Sequence, residues 1–127
     1  MTFKFFIAGY SSGHFEVVLK KDELYFYISD YPMGIDHDIP THAIPIKGDK
    51  DWQNLLDYFA GLNWKLKYEN EILDGIEWSL TFKNGSKKLN CAGSNSFPAD
   101  FGVFLALLKK ITSKHQISDE LLGNIGI

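Results

Sequence analysis

The stretch FEVVLKKDELYFYIS, residues 15–29, carries the clearest structural pattern in the chain. Apolar residues recur at every second position on both sides of Lys21-Asp22, which is the period of a β-strand with one buried face. A two-residue loop at Lys21-Asp22 predicts an antiparallel hairpin in which Leu19 lies opposite Leu24. The other pairs in this register are Val17 with Phe26, Phe15 with Ile28, Lys20 with Glu23 and Glu16 with Tyr27. Each pair joins side chains of compatible character, which favours the hairpin.

Alternating segments on either side of this hairpin predict further strands. Residues 2–8 alternate before it, and residues 64–69 and 76–83 alternate after it. The dipeptide Asn84-Gly85 is the strongest hairpin-turn signal in the chain. A turn at that dipeptide predicts the cross-strand pairs Leu80 with Leu89, Trp78 with Cys91 and Thr81 with Lys88.

Two other segments have helical spacing. Apolar side chains recur every three or four positions over residues 52–62, where Gly61 is the expected stop, and over residues 97–111, where the helix is expected to begin near Pro98. The candidate N-caps are Asp49 or Asp51 for the first helix and Asn95 or Ser96 for the second. Residues 31–48 are rich in proline and glycine and predict a long irregular connection.

Length and composition set the class of protein. The chain has 127 residues, 45% hydrophobic content and a formal net charge of −3. This is the length of one domain with enough apolar material for one core. We therefore expect a single α+β domain over residues 1–127, with antiparallel meanders of about six strands and two main helices packed on the sheet. A lone cysteine favours a reducing cytoplasm, and no apolar run approaches the length of a membrane span.

The sequence gives little support to enzyme chemistry. All thirteen basic residues are lysines, so the chain lacks the arginine fork that phosphoryl transfer and base recognition use. It contains no phosphate-binding loop, dinucleotide fingerprint, nucleophile elbow, zincin motif or CxxC pair. Cys91 has four histidines available as bases, but the predicted hairpin places its thiol in the core. We expect no enzyme activity, no cofactor, and neither a nucleic-acid nor a membrane partner.

The distribution of charge suggests a protein partner. Residues 22–77 contain twelve acidic residues against four lysines, a local balance of −8. An acidic surface favours a basic protein through electrostatic steering. Within this stretch, Asp36, Asp38 and Glu71 are the candidate charged contacts, and an incidental solvated surface is the alternative interpretation.

Three tyrosines are the candidate aromatic contacts of such a surface. Tyr25, Tyr27 and Tyr31 recur at alternate positions, opposite the apolar face of the predicted third strand. Tyrosine is enriched in interface hot spots because it buries a large area at low entropic cost. In the alternative arrangement, helices cover both faces of the sheet and the tyrosines are core residues with a polar tip.

Residues 36–42 also offer metal-ligand chemistry. His37, Asp38 and His42 are ligand types that zinc accepts, although their spacing is not that of a histidine pair on a helix. A metal-assisted hydrolase built on these three residues is therefore the alternative function. A small-ligand-binding domain, with a cleft between sheet and helices, is a further alternative.

Two motifs in the second half of the chain carry a family resemblance. Residues 74–80, DGIEWSL, and residues 93–101, GSNSFPADF, match the patterns D-G-x-x-W-x-L and G-S-N-x-[YF]-P-x-x-F. Over residues 52–111 the chain resembles a group of small uncharacterised bacterial proteins. The motifs themselves indicate a core Trp78, and a strand-to-helix corner where Gly93 gives backbone freedom and Asn95 or Ser96 caps the helix.

Proteins similar to this group in size, acidity and lack of enzyme motifs are often immunity partners of secreted bacterial toxins. The resemblance brings no catalytic residues with it. The leading hypothesis is accordingly a non-enzymatic protein-binding module of bacterial origin. Its most specific form is an immunity-type inhibitor that binds a basic toxin domain through an acidic and aromatic surface.

Overall fold

The structure is a computed structural model that describes residues 1–9, 13–29, 39–69, 75–115 and 117. The described residues form one mixed seven-stranded sheet and two helices, which confirms the expected α+β class. The elements are β1 (Thr2–Gly9), β2 (Gly13–Lys20), β3 (Glu23–Ser29), β4 (His42–Pro45), α1 (Lys50–Ala60), β5 (Lys67–Glu69), β6 (Ile76–Asn84), β7 (Lys87–Ser94) and α2 (Phe101–Lys114). The strand order across the sheet is β4-β3-β2-β1-β6-β7-β5.

The hairpin of β2 and β3 has the predicted register. The turn consists of Lys21 and Asp22, and all five predicted cross-strand pairs are present. Lys21 adopts a left-handed conformation, with φ of 57°, which is uncommon for a residue with a side chain. The register holds because slipping by one residue would turn the apolar face of both strands away from the helices.

The hairpin of β6 and β7 turns one residue later than the sequence predicted. Its loop is Gly85-Ser86, and each strand residue pairs two positions further along than expected. The observed pairs include Phe82 with Leu89, Leu80 with Cys91, Trp78 with Gly93 and Thr81 with Asn90. Gly85 has a φ of 61° and supplies the left-handed conformation at the first loop position. A shift of two keeps every side chain on its predicted face, so the alternation pattern alone does not distinguish the two registers.

A glycine opposite Trp78 explains the observed register. A Cβ atom at Gly93 would overlap the Trp78 indole and the carbonyl oxygen of Ser96. The indole Nε1 donates a hydrogen bond of 2.9 Å to that same Ser96 carbonyl. The predicted pairing with Cys91 would have placed a side chain where the indole now lies, so the role of Gly93 is close approach rather than backbone freedom.

A second close approach to a glycine, between Asn95 and Gly75, also joins the two motifs. Asn95 adopts a left-handed conformation, with φ of 54°, and its Oδ1 accepts a hydrogen bond of 2.7 Å from the Ile76 backbone N–H. Its own N–H donates to the Ile76 carbonyl at 2.8 Å. A Cβ atom at Gly75 would overlap the Asn95 carboxamide. The glycines, the tryptophan and the asparagine of the motifs therefore have structural roles.

The predicted N-cap of α1 is confirmed, whereas the predicted N-caps of α2 are wrong. α1 has Asp49 as its N-cap, where the side chain accepts a 3.0 Å hydrogen bond from the Trp52 N–H, and it ends at Gly61. α2 begins at Phe101, three residues after Pro98, and its N-cap Asp100 makes no side-chain capping bond. Neither Asn95 nor Ser96 caps α2, because the helix begins only at Phe101 and Asp100 holds the N-cap position. The Asn95 side chain instead accepts a hydrogen bond from β6.

The two edge strands were not predicted correctly from the sequence. β4 lies within the segment expected to be irregular, and β5 covers only three residues of the segment 64–69. β5 pairs with β7 in parallel, so the sheet is mixed rather than wholly antiparallel. Short strands such as these carry too few residues for a periodic pattern, and partners on the neighbouring strand determine where they form.

The hydrophobic core lies between one face of the sheet and both helices. Aromatic rings fill much of it, with ring centroids of Phe59 and Phe82 at 4.6 Å, and of Phe5 and Phe104 at 4.8 Å. Trp52 of α1 meets Phe3 edge to face at 5.5 Å. Such pairs add about 0.5–1.5 kcal/mol each beyond the area that they bury. These contacts hold both helices on the same face of the sheet.

We expect Gly93→Ala to lower the free energy of unfolding by roughly 1–3 kcal/mol, because the added methyl group overpacks a filled site. The matched control is Gly61→Ala, where no heavy atom lies within 4 Å of the added Cβ. The control should change the free energy of unfolding by less than about 1 kcal/mol. Urea denaturation followed by tryptophan fluorescence measures the free energy of unfolding of both variants. Equal losses of stability in Gly93→Ala and Gly61→Ala would contradict the packing role of Gly93.

Candidate functional site

The outer face of the sheet, defined here as the face opposite α1 and α2, carries a mixture of aromatic, polar and charged side chains. None of the described helices or strands packs on it. The observed registers arrange its residues in cross-strand rows. The first row is Asn90, Thr81, Lys4, Val18, Tyr25 and Ala43; the second is Lys67, Ala92, Ser79, Phe6, Glu16 and Tyr27; the third is Glu69, Ser94, Glu77, Ala8, His14 and Ser29.

A buried carboxylate lies in the middle of the outer face. Glu16 is 4% exposed, and its Oε1 lies 3.3 Å from the ammonium of Lys4. Phe6 and Tyr27 are its neighbours on the adjoining strands, and Phe6 meets His14 edge to face with ring centroids 4.6 Å apart. A buried charge is stable only when it is paired, so the Lys4 contact fixes the charge pattern of this region.

The predicted tyrosines differ in what they offer a partner. Tyr25 is half-buried on the outer face, with the ammonium of Lys20 5.4 Å from its ring centroid. Tyr27 lies on the same face and is 2% exposed, so it offers almost no surface for contact. Tyr31 lies outside the described residues. Of the two tyrosines that the structure describes, Tyr25 is the more exposed.

A hollow of about 270 Å³ lies on the outer face between β1 and β5. Its floor contains Phe6 and Ala92, with Ser79 and Ser94 beside them. Its remaining lining residues are Lys67, Tyr68, Glu69, Glu77, Trp78 and Gly93. The hollow therefore combines an apolar floor with charged groups, an arrangement typical of binding sites.

Two carboxylates on the rim determine what the hollow attracts. The registers place Glu69 and Glu77 on either side of Ser94. Glu69 already pairs with Lys67 at 2.9 Å, whereas Glu77 is exposed and has no ion-pair partner among the described residues. A long cationic side chain suits this arrangement, because its methylene stem packs on an apolar floor while its charged head reaches a carboxylate.

The sequence analysis did not identify this hollow. Its residues come from four strands, and the contribution of Lys67 and Glu69 depends on the parallel pairing of β5 with β7. The only sequence signal is the alternation that assigns Glu77 and Ser79 to the face opposite Trp78.

Two carboxylates of the acidic stretch 22–77 are engaged with the second helix. Asp49 and Asp51 both pair with Lys114 of α2. Burial raises the pKa of Asp49, but the hydrogen bonds from Lys114 and the Trp52 N–H outweigh it and leave the pKa lowered. The hydrogen bonds to these two carboxylates raise the pKa of Lys114. The predicted contacts Asp36, Asp38 and Glu71 lie outside the described residues.

Of the predicted metal ligands, only His42 lies in the described residues. It begins β4 opposite Phe26, and its Nδ1 is buried with no hydrogen-bond partner among the residues that the structure describes. His37 and Asp38 lie outside them. Among residues 1–9, 13–29, 39–69, 75–115 and 117, no group of three or more potential metal ligands is present.

The thiol of Cys91 is unsuited to nucleophilic chemistry. It is 2% exposed in the core, where burial raises its pKa and so disfavours the reactive thiolate. This agrees with its predicted place in the core, although its partner on β6 is Leu80 rather than Trp78.

A carboxylate that the sequence analysis missed, Asp100, joins three parts of the fold. Tyr58 of α1 donates to its Oδ2 at 2.6 Å, and Trp64 Nε1 donates to its Oδ1 at 2.7 Å. Burial raises the pKa of Asp100, but these two hydrogen bonds outweigh it and leave the pKa lowered. Burial and the Asp100 contact raise the pKa of Tyr58. Because both carboxylate oxygens are already engaged, this group stabilises the fold and is poorly placed for proton transfer.

No protein-family model, curated protein or solved structure matches the chain. None of the helices described is long and apolar enough to cross a membrane. The contacts of the side chains are therefore the basis on which function is inferred.

We expect Asp100→Asn to lower the free energy of unfolding by about 1–3 kcal/mol at neutral pH, because it weakens two charge-assisted hydrogen bonds. The matched control is Asp57→Asn on the exposed side of α1, where the carboxylate bonds only Gln53 among the described residues. We expect the control to change stability by less than about 0.5 kcal/mol. Chemical denaturation at neutral pH measures the free energy of unfolding of both variants. If Asp100→Asn loses no more stability than Asp57→Asn, the stabilising role of the Asp100 hydrogen bonds is contradicted.

The same carboxylate predicts a dependence on pH. The folded pKa of Asp100 is lowered, so the unfolded chain binds the proton more tightly than the folded chain. The contribution of Asp100 is complete above the unfolded pKa of about 4 and is lost as the pH falls through the lower folded pKa. In Asp100→Asn, the free energy of unfolding should therefore fall less steeply with decreasing pH below about pH 4 than in wild type. The same steepness in both proteins would count against a lowered pKa of Asp100 in the folded state.

Proposed function

We propose that the chain is a non-enzymatic protein-binding module and that the outer face of the sheet is its contact surface. The observation that carries the proposal is the hollow of about 270 Å³, in which an apolar floor lies beside the carboxylate of Glu77, which has no ion-pair partner in the part of the chain that the structure describes. The partner is a protein that inserts a lysine or arginine side chain. Its stem would pack on Phe6 and Ala92, and its head would pair with Glu77.

Further features of the outer face support this assignment. Tyr25 is half-buried and is anchored by Lys20, so ordering it at an interface costs little additional entropy. The Lys4–Glu16 pair is held in place before any partner arrives, which keeps the surface rigid. The net charge of −3 favours the approach of a basic protein.

The specific form that we propose is an immunity-type inhibitor of a basic toxin domain, of bacterial origin and acting in the cytoplasm. The support is the motif resemblance over residues 52–111, together with the acidic hollow. The motif residues themselves serve the fold, so binding is assigned to Glu77 and its neighbours on the outer face rather than to the motif glycines.

The proposal is tested by affinity capture with matched variants. Tagged wild-type chain, Glu77→Lys and Val103→Lys are exposed to the same lysate of the source organism, and captured proteins are identified by mass spectrometry. Val103 is 51% exposed on α2, on the other side of the molecule from the outer face, so its variant introduces a lysine away from the hollow. We expect one basic protein to be retained by wild type and Val103→Lys and lost with Glu77→Lys. Equal recovery on all three would exclude the hollow as the contact site.

For the captured partner we expect Glu77→Lys to slow association about tenfold at low salt, since it reverses a charge beside the interface. Added salt should bring the association rate constants of wild type and Glu77→Lys closer together, because it screens the charge. Surface plasmon resonance measures these two rate constants, with Val103→Lys as the control. An association rate that Glu77→Lys leaves unchanged at low salt would contradict the electrostatic part of the proposal.

A further inference from the structure

A second hollow, of about 680 Å³, lies at the basal end of the molecule, which we define as the end that holds the β2–β3 turn and the start of α1. It is separate from the outer-face hollow and shares none of its lining residues. Its lining comes from the end of β2, the β2–β3 turn, residues 46–50 and the first half of α1, together with Met1. Its volume falls within the range of sites for small organic molecules.

The floor of the basal hollow is apolar. Trp52 and Ile46 are 5% and 7% exposed and belong to the core, while Leu19 and Leu56 are half-buried against it. Of these four side chains, Leu19 and Leu56 therefore supply most of the apolar surface that faces the hollow, and the nearly buried Trp52 and Ile46 supply little of it. An apolar body that covers this surface is stabilised by its removal from water.

The rim of the basal hollow is positively charged. Lys21, Lys47 and Lys50 stand on three different segments around it. Two carboxylates, Asp22 and Asp49, are also present, and Asp49 shares the ammonium of Lys114 with Asp51. Among the described lining residues, three lysines therefore face two carboxylates, one of which is already ion-paired, so the rim favours an anion.

Backbone hydrogen bonds hold the walls of this hollow in place. The Ile46 N–H donates to the Asp22 carbonyl at 3.0 Å, which ties the β2–β3 turn to the segment that follows β4. The Asp49 N–H donates to the Ile46 carbonyl at 3.0 Å and positions the start of α1. A site formed in advance binds without the cost of ordering its walls.

We propose that the basal hollow binds a small organic anion with an apolar body, the class that includes medium-chain fatty acids and aromatic sulfonates. The apolar body lies on Leu19 and Leu56, and the anionic group lies among Lys21, Lys47 and Lys50. This site is independent of the proposed protein interface, because the two hollows differ in charge and in residues.

The test is a fluorescence titration of the purified chain with anilinonaphthalene sulfonate, an aromatic anion that brightens when bound. We expect saturable binding of one molecule per chain, displaced by decanoate and far less by the uncharged decanol. The variant Lys21→Gln/Lys47→Gln/Lys50→Gln should weaken binding about tenfold, as should Leu56→Trp, which fills the floor without changing the charge.

The matched control is Lys83→Gln/Lys88→Gln/Lys110→Gln, which removes the same charge from exposed lysines outside the hollow. We expect it to bind as wild type does, and circular dichroism with thermal unfolding verifies that every variant is folded. Equal weakening in both lysine variants would assign the binding to the overall charge and overturn the site. Unsaturable binding to folded wild type, or full affinity in Leu56→Trp, would also overturn it.

Discussion

The approach of the Trp78 indole to Gly93 is the constraint on which the rest of the structure depends. The indole occupies the space that a side chain at residue 93 would fill, and it donates to the Ser96 carbonyl. This contact fixes the register of β6 against β7 and the path of the chain toward α2. The same indole packs against Trp64 at 5.7 Å and Phe101 at 4.9 Å, so α2 and the segment between α1 and β5 are arranged around it. The residues of both motifs, 74–80 and 93–101, include those that make this packing possible.

Placing both helices on one side of the sheet gives the molecule two different surfaces. The outer face contains the Lys4–Glu16 pair and a hollow at which Glu77 has no ion-pair partner among the described residues. The basal end gathers the lysines of the β2–β3 turn and of the start of α1 around an apolar floor. The two sites that we propose, one for a basic protein and one for an organic anion, are therefore separate, although the net charge alone favours only the former.

The sequence predicted what alternation and local turn chemistry determine. The β2–β3 register was correct because a single-residue slip would reverse both faces, whereas the β6–β7 register was wrong because the competing registers share the same faces and only Gly93 distinguishes them. Asp100 was missed because its partner Tyr58 lies 42 residues away in the sequence. The outer-face hollow was missed because β5 is a three-residue parallel strand with no readable period. Tyr25 and Tyr27 share one face, yet their exposure differs in a way that alternation does not encode.

The central claim, that the outer face is the protein-contact surface, is tested most directly by hydroxyl-radical footprinting of the free chain and of its complex with the captured partner. Mass spectrometry then reports the oxidation of each side chain. We predict that oxidation of Phe6 and Tyr25 falls in the complex, while that of Val103, exposed on α2, stays as in the free chain. Protection of Val103 together with unchanged oxidation of Phe6 and Tyr25 would place the interface on the helices and contradict the claim.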